Sequence, residues 1–325
     1  MPGDWQRLRT LRDRFLTDAT DDYWTTRDLA LYDAVFAPRI GWKWDAALAS
    51  LTRAGWRPRS AQLLDWGCGT GIAARTVAAW SGIRTAEVSD QSPLAAAFAL
   101  DRLHAAGVIA RIRPSPEVVP SDTLLVLSHV VGELHPDELA NLAAFAATAD
   151  EILWVEPGSR DISRRLSAVR DTLLRAGHQL LAPCTHQQTC PMLTPENERH
   201  WCHFFAPPPT EVFQSPFWRE VSLRLGIDLR ALPYSFLAAS RVSIPAWPAK
   251  AERLIGHPRE LKAHCKLLCC GATGLVERML QKRDAPGLFR QITKKGADGV
   301  FAWRENPDKP GQVVDGEIVD ATTRD

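Results

Sequence analysis

The sequence predicts a doubly wound parallel α/β sheet, with helices before it and a small β region after it. Between residues 61 and 156, short apolar runs alternate with alanine-rich helical segments, which is typical of a parallel sheet with crossover helices. A glycine-rich segment stands at the first strand-to-helix junction. The composition is 45% hydrophobic and 24% charged, which is ordinary for a globular protein and argues against a disordered chain. No apolar run approaches the ~18 residues that a membrane span needs.

The elements are predicted in the following order. Residues 1–60 are helical, because tryptophans and leucines recur at helical spacing. The strands of the sheet are AQLLDW, TAEVSD, VIARIR, TLLVLSH and EILWVE, with helices such as GIAARTVAAW and PDELANLAAFAAT between them. A helix in SRDISRRLSAVRDTLLRAG follows, and QLLAPC and YSFLAASRV are predicted to close the sheet as an antiparallel pair.

These elements divide the chain into four regions. Residues 1–60 form a helical region, and residues 61–241 form the sheet domain with a Cys- and Pro-rich insertion at 184–233. Residues 242–304 are a small β appendage, and residues 305–325 are an acidic tail that we expect to be disordered. Residues 241–304 hold 13 Lys+Arg against 5 Asp+Glu, although the whole chain has a net charge of +1. Such a basic block indicates either a polyanionic partner or a solvated surface.

The glycine segment, LLDWGCGTG, carries Asp65, Gly67, Gly69 and Gly71, with Cys68 filling a tight space inside it. Glycines let the backbone turn tightly and approach a ligand, while the helix start offers free N–H groups. The order Asp-x-Gly-x-Gly-x-Gly resembles motif I of class I S-adenosylmethionine-dependent methyltransferases, which have a Rossmann-like sheet. That resemblance implies that Asp65 and the loop hold the methionine part of S-adenosylmethionine. Asp90, at the end of the next strand, would hold the ribose.

Candidate catalytic groups follow the fourth and fifth strands. Ser128, His129 and Glu133 lie at the mouth of the fourth strand, and Glu156 ends the fifth. His129 is a candidate base or a hydrogen-bonded structural residue. The Asn/Asp-Pro-Pro-aromatic motif of nucleic-acid amino-methylating enzymes does not occur at this place.

A group of cysteines indicates a metal site. Cys184, Cys190 and Cys202 lie in a polar loop with three histidines interleaved. Thiolates bind zinc tetrahedrally or hold iron–sulfur clusters, and a fourth ligand is expected. Cys269 or Cys270 of the appendage could be that fourth ligand. Alternatively, one of the interleaved histidines would complete a zinc site, which would then need no ligand from the appendage.

The chain resembles the Rsm-type methyltransferase-like family of the small ribosomal subunit, whose mitochondrial members are assembly factors. The matching stretches include LLDWGCGTG, SHVVGELHPDEL, LLAPCTHQQTCPM, WCHF, LPYSFLAASR and LLCCGATGLVERMLQKRD. The resemblance implies a [4Fe–4S] cluster on Cys184, Cys190, Cys202 and Cys270, with zinc as the alternative. Cys269 is the rival for the fourth position, and Cys265 fits it less well.

The same resemblance implies binding of the small subunit or its rRNA through the basic C-terminal region. Three functions stay open: a methyltransferase acting on rRNA or a ribosomal protein, a non-catalytic assembly factor, and a small-molecule methyltransferase with a zinc-braced lid. Because the N-terminus lacks the apolar core of a signal peptide, we expect a cytoplasmic protein, and we expect a monomer.

Overall fold

The computed structural model describes residues 4–14, 24–114, 117–230, 232–242, 246–293 and 298–321. These residues form two compact units. The first unit comprises residues 1–48, 58–155 and 206–232, and the second comprises residues 49–57, 156–205 and 233–325. None of the helices within the described residues is long and apolar enough to cross a bilayer.

The helices and strands of the described residues have the following bounds. The α-helices are α1 (Trp5–Arg14), α2 (Thr26–Val35), α3 (Ala37–Arg53), α4 (Ile72–Ser81), α5 (Pro93–Ala105), α6 (Pro136–Ala146), α7 (Arg160–Arg175), α8 (Pro216–Leu225) and α9 (Pro286–Thr293). The strands are β1 (Gln62–Trp66), β2 (Thr85–Ser89), β3 (Ile109–Ile112), β4 (Thr123–Ser128), β5 (Glu151–Pro157), β6 (Gln179–Ala182), β7 (Phe204–Ala206), β8 (Leu232–Ser240), β9 (Ala251–Glu260), β10 (His264–Gly271), β11 (Gly274–Gln281), β12 (Val300–Glu305) and β13 (Gln312–Ile318).

The first unit contains parallel strands in the order β3-β2-β1-β4-β5. The predicted doubly wound, Rossmann-like sheet is therefore confirmed. Its strand order reverses between β1 and β4, and ligands of such sheets bind at the carboxyl ends of the strands near this switch point. Leu63 and Leu64 of β1 and the run 124–127 of β4 are fully buried, as expected for strands covered by helices on both faces.

Part of the predicted insertion belongs to the first unit. Residues 206–232 fold with it because α8 is amphipathic and buries Val221 and Leu225 in one cluster with Leu8 and Leu11 of α1. The Ser215 hydroxyl accepts a hydrogen bond from the Trp218 amide and so caps α8. The prediction of one continuous insertion over 184–233 missed this helix.

The second unit contains the antiparallel pair β6–β8, as predicted, and a closed barrel in the order β10-β11-β13-β12-β9. The β appendage of the sequence is thus a barrel, in which alternate residues of β10 point inward. Its interior is apolar, with Leu254, Cys265, Leu267, Cys269, Leu280, Phe289, Ile292, Phe301 and Val313 in one cluster.

The expectation of a disordered tail is wrong for residues 305–321. β13 pairs with β12 and β11 and closes the barrel, and Val313 on it is fully buried. Acidic residues of this segment pair with the preceding basic block, as in Arg278–Glu305 and Arg304–Asp315. The segment is ordered by strand pairing and by the burial of Val313, although its composition is acidic. Residues 322–325 lie outside the described residues.

Candidate cofactor-binding site

The glycine loop joins β1 to α4 in the first unit. Gly67, Gly69 and Gly71 have φ values of +69°, +51° and +73°, which lie in the left-handed region that glycine adopts without strain. The Gly71 amide donates to the Cys68 carbonyl at 2.7 Å, and the Gly67 amide donates to the Ser89 carbonyl at 2.8 Å. The loop is therefore a tight turn anchored to the end of β2.

The three glycines have different surroundings. A Cβ on Gly67 would lie 2.7 Å from Val130 Cγ1, and one on Gly71 would lie 3.0 Å from the Cβ of Ala99. A Cβ on Gly69 would meet nothing within 4 Å. Gly67 and Gly71 thus allow close packing of the protein on itself, whereas open space lies next to Gly69.

Asp65 is fully buried at the end of β1. Its Oδ2 accepts a hydrogen bond from the Ala74 amide at 3.1 Å, while its Oδ1 has no partner among the described residues. Burial, reinforced by the Asp90 charge, raises the pKa of Asp65 to about 7. A buried acceptor without a hydrogen-bond partner lowers the stability of the fold. This acceptor lies beneath the glycine loop, which the sequence analysis predicts to bind a ligand.

Asp90 follows β2 and connects the loop to α5. Its Oδ2 accepts the Gly69 amide at 2.8 Å, and its Oδ1 accepts the Ser92 amide at 2.9 Å. Cys68 is 5% exposed. Its burial is the main cause of the raised pKa of its thiol, and the charges of Asp65 and Asp90 raise this pKa further. The structure thus brings Asp65, Gly67, Cys68, Gly69, Gly71 and Asp90 to one edge of the sheet.

The carboxyl end of β4 carries a hydrogen-bonded cluster. His129 has a φ of +61°, an uncommon conformation for a residue with a side chain. Its Nδ1 lies 3.3 Å from Ser128 Oγ and its Nε2 lies 3.1 Å from Lys43 Nζ. The Trp44 indole donates to Ser128 Oγ at 3.0 Å. Burial and the charges of Lys43 and Arg39 hold the pKa of His129 well below its usual value, so the imidazole is neutral.

The two glutamates of the sequence analysis lie in different units. Glu133 follows β4 in the first unit, and its pKa is raised to about 7 by desolvation and by Asp90, although the residue is solvent-exposed. Glu156 is fully buried and belongs to the second unit. Sequence reasoning missed Arg39, Lys43 and Trp44, since α3 precedes every motif. The available signal was two cations four residues apart in an apolar helix.

The predicted thiol ligands lie together in the second unit. Cys184, Cys190, Cys202 and Cys270 line one cavity of about 40 Å³. Burial raises the pKa of Cys202, and the other three thiols raise it further. Cys269 and Cys265 instead point into the barrel and are fully buried. Within the described ranges, no three His, Cys, Asp or Glu side chains are grouped so that they could hold a metal ion.

A buried arginine faces these thiols. Arg170 of α7 is 3% exposed and donates from Nε to Cys184 Sγ at 3.4 Å. It also pairs with Asp171, whose carboxylate accepts the Cys190 amide at 3.1 Å. Burial alone would lower the pKa of Arg170, but Cys184, Asp171 and Cys190 raise it. The cavity therefore combines four thiols with one buried positive charge.

Comparison with known proteins gives one family. Residues 41–299 match the sequence model described as "Mitochondrial small ribosomal subunit Rsm22". A search of curated protein sequences finds no significant match.

Solved structures give weak likenesses only. The methyltransferase domain of bacterial CtHen1-C is 10% identical, with a TM-score of 0.39, over 62% of this chain and 98% of that chain. A proposed RNA methyltransferase from Pyrococcus horikoshii is 10% identical, with a TM-score of 0.37, over 61% and 82%. Phosphoethanolamine N-methyltransferase 2 of Haemonchus contortus, solved with S-adenosyl-L-methionine, is 18% identical, with a TM-score of 0.37, over 62% and 53%. Likenesses at this level establish neither activity nor substrate.

Proposed function

The chain belongs to the mitochondrial small ribosomal subunit Rsm22 family, and on this premise we propose that it binds S-adenosylmethionine at the glycine loop and acts on the small ribosomal subunit or in its assembly. The observation that carries the proposal is the loop itself. Gly69 leaves open space where a side chain would be, and the buried Asp65 Oδ1 beneath the loop has no partner. Both features suit a ligand that lies against bare backbone.

The residues of the loop have separate tasks in this proposal. The methionine part of the cofactor contacts the loop residues Asp65, Gly67, Cys68, Gly69 and Gly71. The Asp90 carboxylate accepts hydrogen bonds from the ribose hydroxyls. When bound, the cofactor supplies an electrophilic methyl group on a sulfonium. Titration of the folded protein with S-adenosylmethionine by calorimetry tests this step, and the absence of saturable binding would contradict it.

Methyl transfer is the second part of the proposal. Ser128 is the last residue of β4, His129 and Glu133 follow it, and Glu156 precedes the last residue of β5. His129 is neutral, and Lys43 and Ser128 contact its two ring nitrogens, so it orients Ser128 and Lys43 in preference to taking a proton. Glu133, whose pKa is raised by desolvation and by the Asp90 charge, is the candidate proton acceptor of this site.

The sequence after β4 lacks the Asn/Asp-Pro-Pro-aromatic motif of nucleic-acid amino-methylating enzymes. This favours a second candidate function, an assembly factor that binds the cofactor without turnover. Incubation of the protein and immature small subunits with methyl-labelled cofactor separates the two. Label in rRNA or ribosomal protein supports the enzyme, while cofactor binding without label supports the assembly factor. A small-molecule methyltransferase would show neither label nor binding to the subunit.

We propose that small-subunit rRNA binds at a basic end of the barrel, formed by Arg259, Lys262, Lys282 and Arg283. These residues are exposed. The β9–β10 turn that carries Lys262 is joined to the Lys282 amide through the Ala263 carbonyl at 2.9 Å. Clustered cations neutralise phosphates and make binding salt-sensitive. Crosslinking in cells followed by RNA sequencing tests this, and a lack of small-subunit rRNA enrichment would contradict it.

The cavity of four cysteines is proposed to hold a [4Fe–4S] cluster. The all-sulfur donor set of Cys184, Cys190, Cys202 and Cys270 suits such a cluster, and buried Arg170 offsets the negative charge of thiolates. The cluster would brace the Cys-rich loop against β10. Metal analysis of anaerobically purified protein tests the assignment: iron with labile sulfide supports it, whereas colourless protein containing zinc would establish the alternative.

The cytoplasmic location and the monomeric state remain predictions. The family description names the mitochondrial small subunit, so cell fractionation is needed to test the first. Sedimentation of the purified protein tests the second.

A further inference from the structure

The barrel of the second unit has the topology of an OB fold. Its strands are ordered β10-β11-β13-β12-β9, β11 and β13 are parallel, and α9 lies between β11 and β12 in the chain. OB folds bind oligonucleotides across the outer face of their second and third strands and at the loops beside that face. In this chain those strands are β10 and β11, and the turn before β10 carries Lys262 of the basic end.

One half of the outer face of β10 and β11 is covered by the chain itself. Residues of β10 alternate between the barrel interior and its outside, and Cys270 on the outer side lines the cavity of four cysteines. β11 contacts the turn Pro191–Leu193 of the same Cys-rich loop. The half that remains for a ligand lies towards the basic end and carries Lys266 on its outer side.

A row of aromatic rings borders this half on the β9 side. The His257 imidazole stacks on the Phe205 ring, with 3.7 Å between centroids and 11° between the ring planes. Phe205 meets His203 edge-on at 5.4 Å, and His203 stacks on Trp201 at 4.6 Å. His257 is exposed, whereas the other three residues are half-buried. The His257 ring is therefore the exposed end of a row whose other members hold it in place.

The position of His257 follows from a bulge in β9. Residues 266–268 of β10 lie opposite residues 255–259 of β9, so β9 contains extra residues over this stretch. Gly256 has a φ of +65°, which glycine adopts readily at such bulges. Its amide donates to the His203 carbonyl at 2.9 Å, and a Cβ on it would lie 2.9 Å from His203 Nε2. A bulge redirects the side chain that it carries, and this one projects His257 outwards.

Cations lie next to the exposed ring. Arg259 and Lys266 are register partners on β9 and β10, so their side chains lie on the same side of the barrel. Lys266 pairs with Glu277 at 2.6 Å. Arg259, Lys262 and Lys282 are exposed, and none of them forms an ion pair with another described residue. Their charge is therefore available for the phosphates of a ligand.

We propose that the basic end and the His257 ring together bind an unpaired segment of RNA. One base of the segment stacks on His257, and its phosphates contact Arg259, Lys262 and Lys282. Bases of a double helix are already stacked on one another, whereas the bases of a single strand can stack on aromatic side chains. The inference rests on the proposed binding of rRNA at the basic end and adds that the bound RNA is single-stranded there.

Fluorescence anisotropy of the full chain with three labelled probes tests this inference. The probes are an RNA strand of about 10 nucleotides without self-complementarity, the same strand annealed to its complement, and an abasic strand of equal length. His257→Ala removes the ring, and His257→Phe keeps a stacking surface. His104→Ala is the matched control, since His104 is an exposed histidine of α5 in the first unit. Thermal unfolding checks that each variant is folded.

The wild type is expected to bind the single strand more tightly than the duplex. His257→Ala should weaken binding of the single strand at least about fivefold, because the loss of one stacked base costs roughly this factor or more. The same variant should bind the abasic strand as the wild type does, since that strand keeps its phosphates and has no base to stack. His257→Phe and His104→Ala should retain the wild-type affinity for the single strand.

Equal affinity of folded His257→Ala and the wild type for the single strand would overturn the inference, as would an equal weakening for the abasic strand. Wild-type binding of the duplex as tightly as the single strand would uphold RNA binding at the basic end and reject the unpaired segment. A wild-type protein that binds none of the three probes would overturn both proposals.

Discussion

The Asp90 carboxylate accepts a hydrogen bond from the Gly69 amide at 2.8 Å, so the end of β2 is tied to the middle of the loop after β1. Gly69 is also the glycine of this loop that faces open space. One carboxylate therefore both orders the loop and lies at the place where a ligand would meet its backbone.

Asp90→Ala is expected to weaken S-adenosylmethionine binding by at least about tenfold, equivalent to about 1.4 kcal/mol. The substitution removes the acceptor for the ribose and the bond that orders Gly69. Equilibrium binding measures the effect, with Asp101→Ala as control because Asp101 is an exposed acid on α5. Equal affinity of the Asp90 variant and the wild type would reject the ribose assignment.

Gly69→Ala and Gly71→Ala separate binding from folding. Both positions have positive φ, so each alanine costs about 1 kcal/mol of backbone strain. Only the Gly71 methyl group collides, since it meets Ala99 at 3.0 Å. We expect Gly71→Ala to lower the Tm more, and Gly69→Ala to lose cofactor affinity while keeping most of its stability. The opposite ranking in thermal unfolding and binding would contradict the roles given to these glycines.

The buried Asp65 predicts a pH dependence of stability. Its pKa is raised from 3.8 to about 7 by burial, so between these values the folded state binds a proton that the unfolded state has lost. Its contribution is fully present below about pH 4 and is lost as pH rises through about 7, a change on the order of 4 kcal/mol. Asp65→Asn should therefore gain stability over the wild type at pH 8 but not at pH 4.

Chemical denaturation of both proteins at several pH values measures this difference. The comparison with the wild type is necessary because neutral His129, with its lowered pKa, gives stability that falls as pH decreases below about 6.5. A constant difference between Asp65→Asn and the wild type from pH 4 to 8 would show that Asp65 titrates normally.

Arg170→Gln is expected to speed the loss of iron from the protein, because the thiolates around the cavity lose their buried counter-charge. The bleaching of visible absorbance after addition of a chelator measures the rate. Arg164→Gln is the control, since Arg164 lies on the same helix and donates to the backbone carbonyls of Met192 and His200. Equal bleaching rates in the two variants would indicate that Arg170 only supports the fold.

Combined substitution of Arg259, Lys262 and Lys282 by Gln should weaken binding to small-subunit rRNA fragments. Each lost phosphate contact reduces the magnitude of the slope of log affinity against log salt by roughly 0.7–0.9, so three lost contacts should reduce it by roughly 2–3. Fluorescence anisotropy at several salt concentrations gives this slope. The control variant lacks three exposed cations of the first unit, Arg84, Arg219 and Arg230. If the basic end of the barrel is the RNA surface, this variant should have the salt slope of the wild type.

The sheet was predictable because its signals are local. Strand runs such as LLVL of β4 are continuous and apolar, and the glycine order after β1 marks a turn whose conformation follows from residue type. Cys184, Cys190 and Cys202 were predictable as a group because they lie close together in one polar loop, whereas Cys270 was named only by resemblance to the family, with Cys269 as its rival. In the structure Cys270 lies on the outward face of β10, where residues alternate between the barrel interior and its outside. That alternation, with Cys269 inside the barrel, became evident only in the structure.

Other features depend on contacts that spacing does not reveal. Residues 305–321 close the barrel because β13 pairs with β12 and β11 and buries Val313, whereas composition alone favoured disorder. Arg39 and Lys43 reach the end of β4 from a helix that precedes it by many residues in the chain. No local sequence motif predicts such a contact.

Hydrogen–deuterium exchange of the wild-type protein with and without S-adenosylmethionine tests the central claim most directly. If the cofactor lies on the glycine loop, saturating ligand should slow exchange of the amides over residues 67–74 and at the end of β2. Saturation without protection of these amides, or with protection confined to other segments, would contradict the account.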